Sequence, residues 1–332
     1  MSHHKALRRL ACMNAFDPSS NDHAQTARAL RFDREHVRSL RALAYRMLGS
    51  RAEAEDIVQE TWLRWAGVDE QGVDHAGAFL SRIATNLCLD RLGSAAARRE
   101  QYVGVWLPDP LLDDEAQGDW APNPETQAEF AQDVSVAFML ALERLSPLER
   151  ASFLLHEVFD MDFEEIAQRL QRSAAACRQL ASRARQHVKA DYARHDVAKE
   201  ERDRLFDLFA EAVRNRDVEA LARVLTEDAL MLADGGGKVS AAPRPLQGGG
   251  RIAQAFIGFA NLPASQGWRL EPARVNGLPG VLVFDDLNGG RLLQTIALAP
   301  SASEPGRVGA IYIQRNPEKL QGVLAALARR PA

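Results

Sequence analysis

Residues 162–189 read DFEEIAQRLQRSAAACRQLASRARQHVK. Asp162 is placed to cap a short helix through Leu170, with Glu165 at the third position as in a capping box. Ser173 is placed to cap the next helix. There Cys177, Leu180, Ala181, Ala184 and Val188 recur at helical spacing as a buried stripe. Arg178, Ser182, Arg185 and Lys189 share another face, next to Gln179, and Arg172 and Arg183 flank it. Ala174, Ala175 and Ala176 are small enough to let the helix approach a duplex closely. Helix, short break, helix is the pattern of a helix-turn-helix, whose second helix enters the major groove. Arginine there reads guanine edges or pairs with phosphate, and the sequence does not separate the two. A basic solvated helix is the alternative reading.

Upstream, Val136 to Leu145 reads as one helix. Ser146-Pro147-Leu148-Glu149 starts another, with Ser146 as N-cap and Pro147 in the first position. Residues 29–93 are also helical. Val37, Leu40, Ala44, Met47 and Leu48 repeat at helical spacing until Gly49-Ser50. Ala54, Ile57, Val58, Thr61, Trp62 and Trp65 follow, then Leu80, Ile83, Ala84 and Leu87. Between these helical blocks, residues 100–131 hold Pro108, Pro110, Pro122 and Pro124, which prevent a continuous helix. That linker still carries Trp106, Leu107, Leu111, Leu112 and Trp120, so parts of it are expected to dock.

Charge is segregated. The chain of 332 residues has a net charge of −4. From Arg169 to Arg194, however, there are seven basic residues and one acid, and from Glu100 to Glu143 ten acids and no Lys or Arg. Such segregation implies different partners for different segments. On the helix from Glu53 to Trp65, Asp56, Gln59 and Glu60 fall opposite the apolar stripe, a face suited to a basic partner or simply to water.

Residues 200–330 change character. Two short helices (Leu205 to Val213, Val218 to Leu225) precede strand-like runs at Leu230 to Ala233, Val281 to Phe284, Leu292 to Leu298 and Val308 to Ile313. Asp234-Gly235-Gly236-Gly237-Lys238 reads as a turn, without the spacing or following helix of a phosphate-binding loop. No catalytic set is visible: Asp285 and Asp286 read as hairpin residues.

Ala54-Glu55-Asp56-Ile57-Val58-Gln59-Glu60-Thr61-Trp62-Leu63-Arg64 closely resembles the second conserved region of extracytoplasmic-function RNA polymerase sigma factors (group IV of the sigma-70 family). Leu145-Ser146-Pro147-Leu148-Glu149-Arg150, Glu164-Glu165-Ile166-Ala167 and Cys177-Arg178-Gln179-Leu180-Ala181-Ser182-Arg183-Ala184-Arg185 resemble the fourth. Trp106-Leu107-Pro108-Asp109-Pro110, Asp234 to Lys238 and Asn316-Pro317-Glu318-Lys319-Leu320 resemble the marks of the subgroup with a C-terminal SnoaL-like domain, although its linker usually has Glu at the place of Asp109. The resemblance implies a multidomain chain: two all-α sigma domains, the second with a helix-turn-helix, then an α+β cone-like domain. Its bounds would be a mobile tail (1–28), region 2 (29–99), the acidic linker (100–131), region 4 (132–195) and the cone (200–330). It implies core RNA polymerase (β′ clamp helices and β flap) and promoter DNA as partners.

By the same resemblance Asp56, Gln59 and Glu60 dock on the clamp helices. Arg82, Arg91, Arg98 and Arg99 supply a cationic track for the minus-ten element as single strand. Asn86 and Asp90 hydrogen-bond bases or hold the pocket, or else serve as helix-end hydrogen bonders. Arg172, Ser173, Arg178, Gln179, Ser182, Arg183, Arg185 and Lys189 lie at the minus-thirty-five element. Trp106, Asp109, Asp234, Gly235, Gly236, Gly237, Lys238, Asn316, Pro317, Glu318 and Lys319 become interdomain regulatory residues, with Asp234 and Lys238 expected to contact the sigma domains. The acidic linker, including Asp113, Asp114 and Glu115, would follow the polymerase cleft as an RNA mimic.

Other classes fit less well. Cys12, Cys88 and Cys177 match neither a disulfide framework nor a zinc site, which suits a reducing cytoplasm. There is no run of about 18 apolar residues, and no cofactor or metal is expected. A small ligand in the cone is allowed by its expected hollow mouth. A one-component ligand-sensing helix-turn-helix regulator remains as an alternative. So does a cone-fold enzyme fused to a DNA-targeting module.

Overall fold

The computed structural model describes residues 21–100, 102–113, 134–191 and 197–330. Four helices form the first unit: α1 (Asn21–Glu35), α2 (Val37–Leu48), α3 (Arg51–Ala66) and α4 (Ala76–Glu100). The expected tail is therefore shorter: residues 21–28 are helical, and Arg28 lies 4.4 Å over the Trp65 ring while donating to the Trp65 carbonyl at 2.5 Å. Residues 1–20 lie outside the described set. Helix α2 ends where Gly49 adopts φ +70°, the left-handed C-cap conformation glycine tolerates best. Ser50 then caps α3 by accepting from the Glu53 amide.

The second unit holds α5 (Val136–Glu143), α6 (Pro147–Glu157), α7 (Phe163–Leu170) and α8 (Ala174–Asp191). The capping box at Ser146 and Glu149 is complete. The one expected at Asp162 is half formed: Asp162 accepts from the Glu165 amide, but the Glu165 carboxylate turns to Arg169 instead. Gln171, at φ +53°, makes the break between α7 and α8, and Ser173 accepts from the Ala176 amide.

The two helical units are not separate bodies. A single apolar cluster runs from Phe32, Leu43 and Leu48 through Phe138, Leu154 and Ile166 to Val188. At its seam Arg150, 2% exposed, donates to the Met47 carbonyl at 2.6 Å and pairs with Glu143 at 2.8 Å. Burial pushes its pKa down to about 10.

The third unit contains α9 (Lys199–Arg214), α10 (Val218–Val224), β1 (Leu225–Asp234), β2 (Leu246–Gln247), α11 (Gly249–Ala260), β3 (Trp268–Val275), β4 (Leu278–Asp285), β5 (Arg291–Pro300), β6 (Val308–Gln314) and α12 (Pro317–Leu327). The sheet order is β2-β1-β6-β5-β4-β3. The β1–β6 pair is parallel and the remaining pairs are antiparallel. Strand alternation gives the sheet two apolar faces. Met231, Val283, Ile296 and Ile313 face α9, α10 and α11, where Phe209 and Phe256 meet edge to face at 5.2 Å. Leu282, Phe284, Ala297 and Tyr312 belong to a second cluster with α12, Val136 of α5, and Leu107 and Leu112 of the linker. The second face is thus buried by the rest of the chain. Covering a leucine of this kind is worth about 1.5–3 kcal/mol.

Candidate polymerase, promoter and interdomain sites

Helix α3 is fixed by Ala54, Ile57 and Thr61, all buried, with the Thr61 hydroxyl donating to the Ile57 carbonyl at 2.7 Å. This leaves Asp56 and Gln59 exposed and Glu60 half-buried on the outer face. Asp56 pairs with Arg91 at 3.5 Å and Glu60 with Arg64 at 2.7 Å. Leu63 stands 62% exposed one turn beyond Gln59.

On α4, Arg82, Asn86 and Asp90 are exposed at four-residue spacing, and Arg82 lies 5.1 Å over the Phe79 ring. Because α4 continues to Glu100, Asn86 and Asp90 sit in its interior and the helix-end reading falls. Arg98 and Arg99 occupy its last turn, and their side chains lie outside the described set.

Cys177, Ala181, Ala184 and Val188 of α8 are buried. Arg172, Ser173, Arg178, Gln179, Ser182, Arg183, Arg185 and Lys189 are exposed. Three of these arginines are already paired with acids from the same unit: Arg178 with Glu164 at 2.7 Å, Arg183 with Glu149 at 3.6 Å, and Arg185 with Glu157.

The densest polar site joins the linker to the cone. Asp234, expected beside mobile glycines, is 0% exposed at the end of β1. Its carboxylate accepts from the Tyr102 hydroxyl (2.6 Å), the Leu107 amide (3.0 Å), the Gly236 amide (2.9 Å), Gln314 Nε2 (3.2 Å) and Lys319 Nζ (2.8 Å). Lys319 also donates to the Leu107 carbonyl and lies 4.5 Å over the Trp106 ring. Asn316 caps α12 by accepting from the Glu318 amide and donates to the Tyr102 oxygen at 3.0 Å. Burial and then the Asp234 carboxylate push the Tyr102 phenol up, so it remains a donor. The glycines fit around these groups. A Cβ on Gly236 would meet the Asn316 amide at 2.3 Å, and one on Gly237 would meet Val103 at 3.0 Å.

One expectation changes here. Lys238 pairs with Glu318 inside the cone, not with the sigma domains. Asp109 ties the linker to region 2. Its carboxylate accepts from the Arg51 amide at 2.9 Å, and its carbonyl accepts from the Tyr45 hydroxyl at 2.6 Å. Pro317 occupies the first turn of α12.

Sequence reasoning missed the second junction. Asn276, at φ +51° between β3 and β4, is 1% exposed. Its Oδ1 accepts from the Leu111 amide at 3.1 Å, and its Nδ2 donates to the Val134 carbonyl at 2.8 Å and the Tyr45 hydroxyl at 3.1 Å. One side chain therefore ties the cone to the linker, the start of the second unit and the first unit. Beside it Asp113, read from sequence as a polymerase-facing RNA mimic, accepts from the Gly277 amide at 2.8 Å and from Arg274 at 3.1 Å. Asp114 and Glu115 lie outside the described set. Leu112 bridges Val275, extending the β3 edge by one pair. A cavity of ≈ 10 Å³ remains between linker and sheet, lined by Pro108, Val275, Tyr312 and Gln314 among others, which is room for about one water.

Residues 32–98 match Sigma-70 region 2, and residues 135–188 match Sigma-70, region 4. The chain is 36% identical over 301 residues to the ECF RNA polymerase sigma factor SigJ of Mycobacterium tuberculosis, covering 87% of this chain and 91% of that protein. The chain belongs to the extracytoplasmic-function RNA polymerase sigma factors. The sigma factor is also 30% identical over 297 residues to a probable family member, SigI of the same organism, with 89% of this chain and 95% of that one covered. The crystal structure of SigJ superposes with a TM-score of 0.68 at 30% identity, covering 89% of this chain and 98% of that one. These matches span far more than the two sigma regions, so the C-terminal unit is part of what the sigma factor shares with SigJ. The family consists of transcription initiation factors, not enzymes. Among the described residues no helix is long and apolar enough to cross a membrane.

Proposed function

We propose that this sigma factor works in the cytoplasm by alternating between the closed chain described above and an open one, and that its SnoaL-like domain sets the balance in place of a separate anti-sigma factor. The open form engages core polymerase through Asp56, Gln59 and Glu60 on the β′ clamp helices and through region 4 on the β flap. Arg82, Asn86, Asp90, Arg91, Arg98 and Arg99 follow the minus-ten strand. The exposed face of α8 reads the minus-thirty-five element.

The observation that carries this reading is the docked linker: Asp234 and Asn276 hold residues 102–113 against the sheet while regions 2 and 4 share one core. Promoter elements about 25 base pairs apart, as their names place them, are separated by on the order of 85 Å of duplex. Two domains in direct contact do not reach both, so promoter recognition requires the shared core to part. The cone ligand allowed by the family resemblance finds no support on the linker face, where the linker fills the space down to about one water.

The test is transcription by core polymerase with this protein as sole specificity factor. Initiation from promoters selected out of a random library is expected. An Asp234→Asn variant should change core affinity or the amount of promoter-dependent transcript. No promoter-dependent transcript from the wild-type protein would refute the sigma reading, and an Asp234→Asn protein identical to wild type in both measurements would refute the regulatory one.

A further inference from the structure

The arginines on the exposed face of α8 are not bare. Arg178 is held by Glu164, at the start of α7, and its guanidinium also lies 5.6 Å from the Phe163 ring. Arg185 is held by Glu157, at the end of α6. Neither is a pair within one helix: the partners are 14 and 28 residues apart in sequence. Neither acid caps its own helix. Asp162, not Glu164, caps α7, and Glu157 lies at the far end of α6 from its capping box. Glu149, the partner of Arg183, differs: it belongs to that box, and its hydrogen bond with Ser146 lowers its pKa.

We infer that Glu157 and Glu164 are specificity-determining residues of the helix-turn-helix, holding Arg185 and Arg178 for base edges and against phosphates. The inference rests on the reading of α8 as the recognition helix. A guanidinium has five N–H donors in a planar fork, and a carboxylate engages at most two, so each arginine keeps donors for a second acceptor. A guanine edge is neutral and is not repelled by the carboxylate. A phosphate is anionic and must displace it or sit beside it. An Arg–Glu couple also carries no net charge, so it releases no counterion when it meets the backbone. The acids thus weaken sequence-independent binding more than base reading. As positioning residues they act through the arginines, not by touching DNA.

The test uses the full-length chain. Binding to random-sequence duplex is measured by fluorescence anisotropy between about 50 and 200 mM KCl, a range in which phosphate contacts are strongly salt-dependent. Competition between random duplex and a promoter selected by the wild-type holoenzyme is measured with core polymerase present. Glu164→Gln and Glu157→Gln should each tighten random-duplex binding by about 2- to 5-fold, the range expected for loosening an exposed pair. Each should steepen the slope of log K against log[salt] by about one unit and lower the preference for promoter over random duplex. Glu164→Asp, which keeps the charge, should restore the wild-type slope, a recovery that a purely structural role does not predict.

Unchanged slope and unchanged preference in both Gln variants would overturn the inference. Arg178→Ala and Arg185→Ala separate this outcome from failure of the underlying reading. If they erase promoter preference while the Gln variants are silent, only the inference falls. If they too leave promoter preference intact, the recognition-helix reading falls and the inference with it.

Discussion

Replacing Asn276 by glycine isolates the junction that ties the cone to both sigma regions. Glycine keeps the left-handed backbone that Asn276 adopts at φ +51°, so no strain is added. What disappears is three side-chain hydrogen bonds, to the Leu111 amide, the Val134 carbonyl and the Tyr45 hydroxyl. At about 1 kcal/mol each, with a further penalty for leaving the buried Leu111 and Val134 groups unpaired, the loss is about 3–5 kcal/mol. Because the partners belong to other units, most of it falls on the closed state and not on the internal stability of the cone. If the closed form excludes polymerase, apparent core affinity rises by the factor through which the open population grows, up to about 100-fold for 3 kcal/mol. The assay is equilibrium binding to core polymerase, paired with hydrogen exchange at the Leu111 amide, which should lose protection. A variant with lower thermal stability but unchanged core affinity and unchanged Leu111 protection would refute the assignment of Asn276 to domain closure.

Three further outcomes follow from the same geometry. Tyr102→Phe removes the hydrogen bond to the Asp234 carboxylate, worth about 1.5–3 kcal/mol, together with the one accepted from Asn316 Nδ2, and should speed exchange at the Leu107 amide. Gly49→Ala places a Cβ 2.5 Å from the Trp106 ring at φ +70°; it should destabilise linker docking by about 2 kcal/mol or more, read as earlier proteolytic cleavage near Trp106. Asp109 has its folded pKa raised chiefly by burial, with Lys319 and Arg51 opposing. Its contribution to closure is therefore complete below the unfolded carboxyl range near 4 and is lost as pH climbs through the raised value. Asp109→Asn should flatten that slope in a pH titration of core affinity, and an unchanged slope would rule Asp109 out as its source.

The helical half was legible in sequence because its signals are local. Ser146, Asp162 and Ser173 sit three residues before the amides they cap, and the apolar periods of α3 and α8 fall on their buried faces, whereas α2 is buried nearly all round. The cone was legible only in outline. Helix α11 opens on Gly249-Gly250, which read as punctuation, and β3 carries Pro272 among charges because it is an edge strand. Asn276-Gly277 is a recognisable hairpin signal. No local pattern, however, could announce that the asparagine reaches Tyr45, 231 residues away. The same holds for Asp234, whose neighbours suggest a loose turn and whose environment is set by Tyr102, Leu107 and Lys319. Family resemblance pointed to Asp234, Asn316 and Lys319, but it was silent on Asn276, Tyr102 and Arg274.

The second face of the sheet is covered by residues of the same polypeptide, Leu107 and Leu112; if the closed chain excludes core polymerase, as proposed, this sets how such a regulator behaves in a growing cell. A diffusible inhibitor must be synthesised in proportion to its target and is diluted at each division. A tethered one is present at one copy per sigma factor whatever the expression level, at an effective concentration in the millimolar range for a short connection. Raising transcription of the gene therefore raises the number of molecules without changing the fraction that is open. Output then scales in proportion to gene expression, and the sharp threshold that arises when a target finally outnumbers a separate inhibitor has no counterpart here.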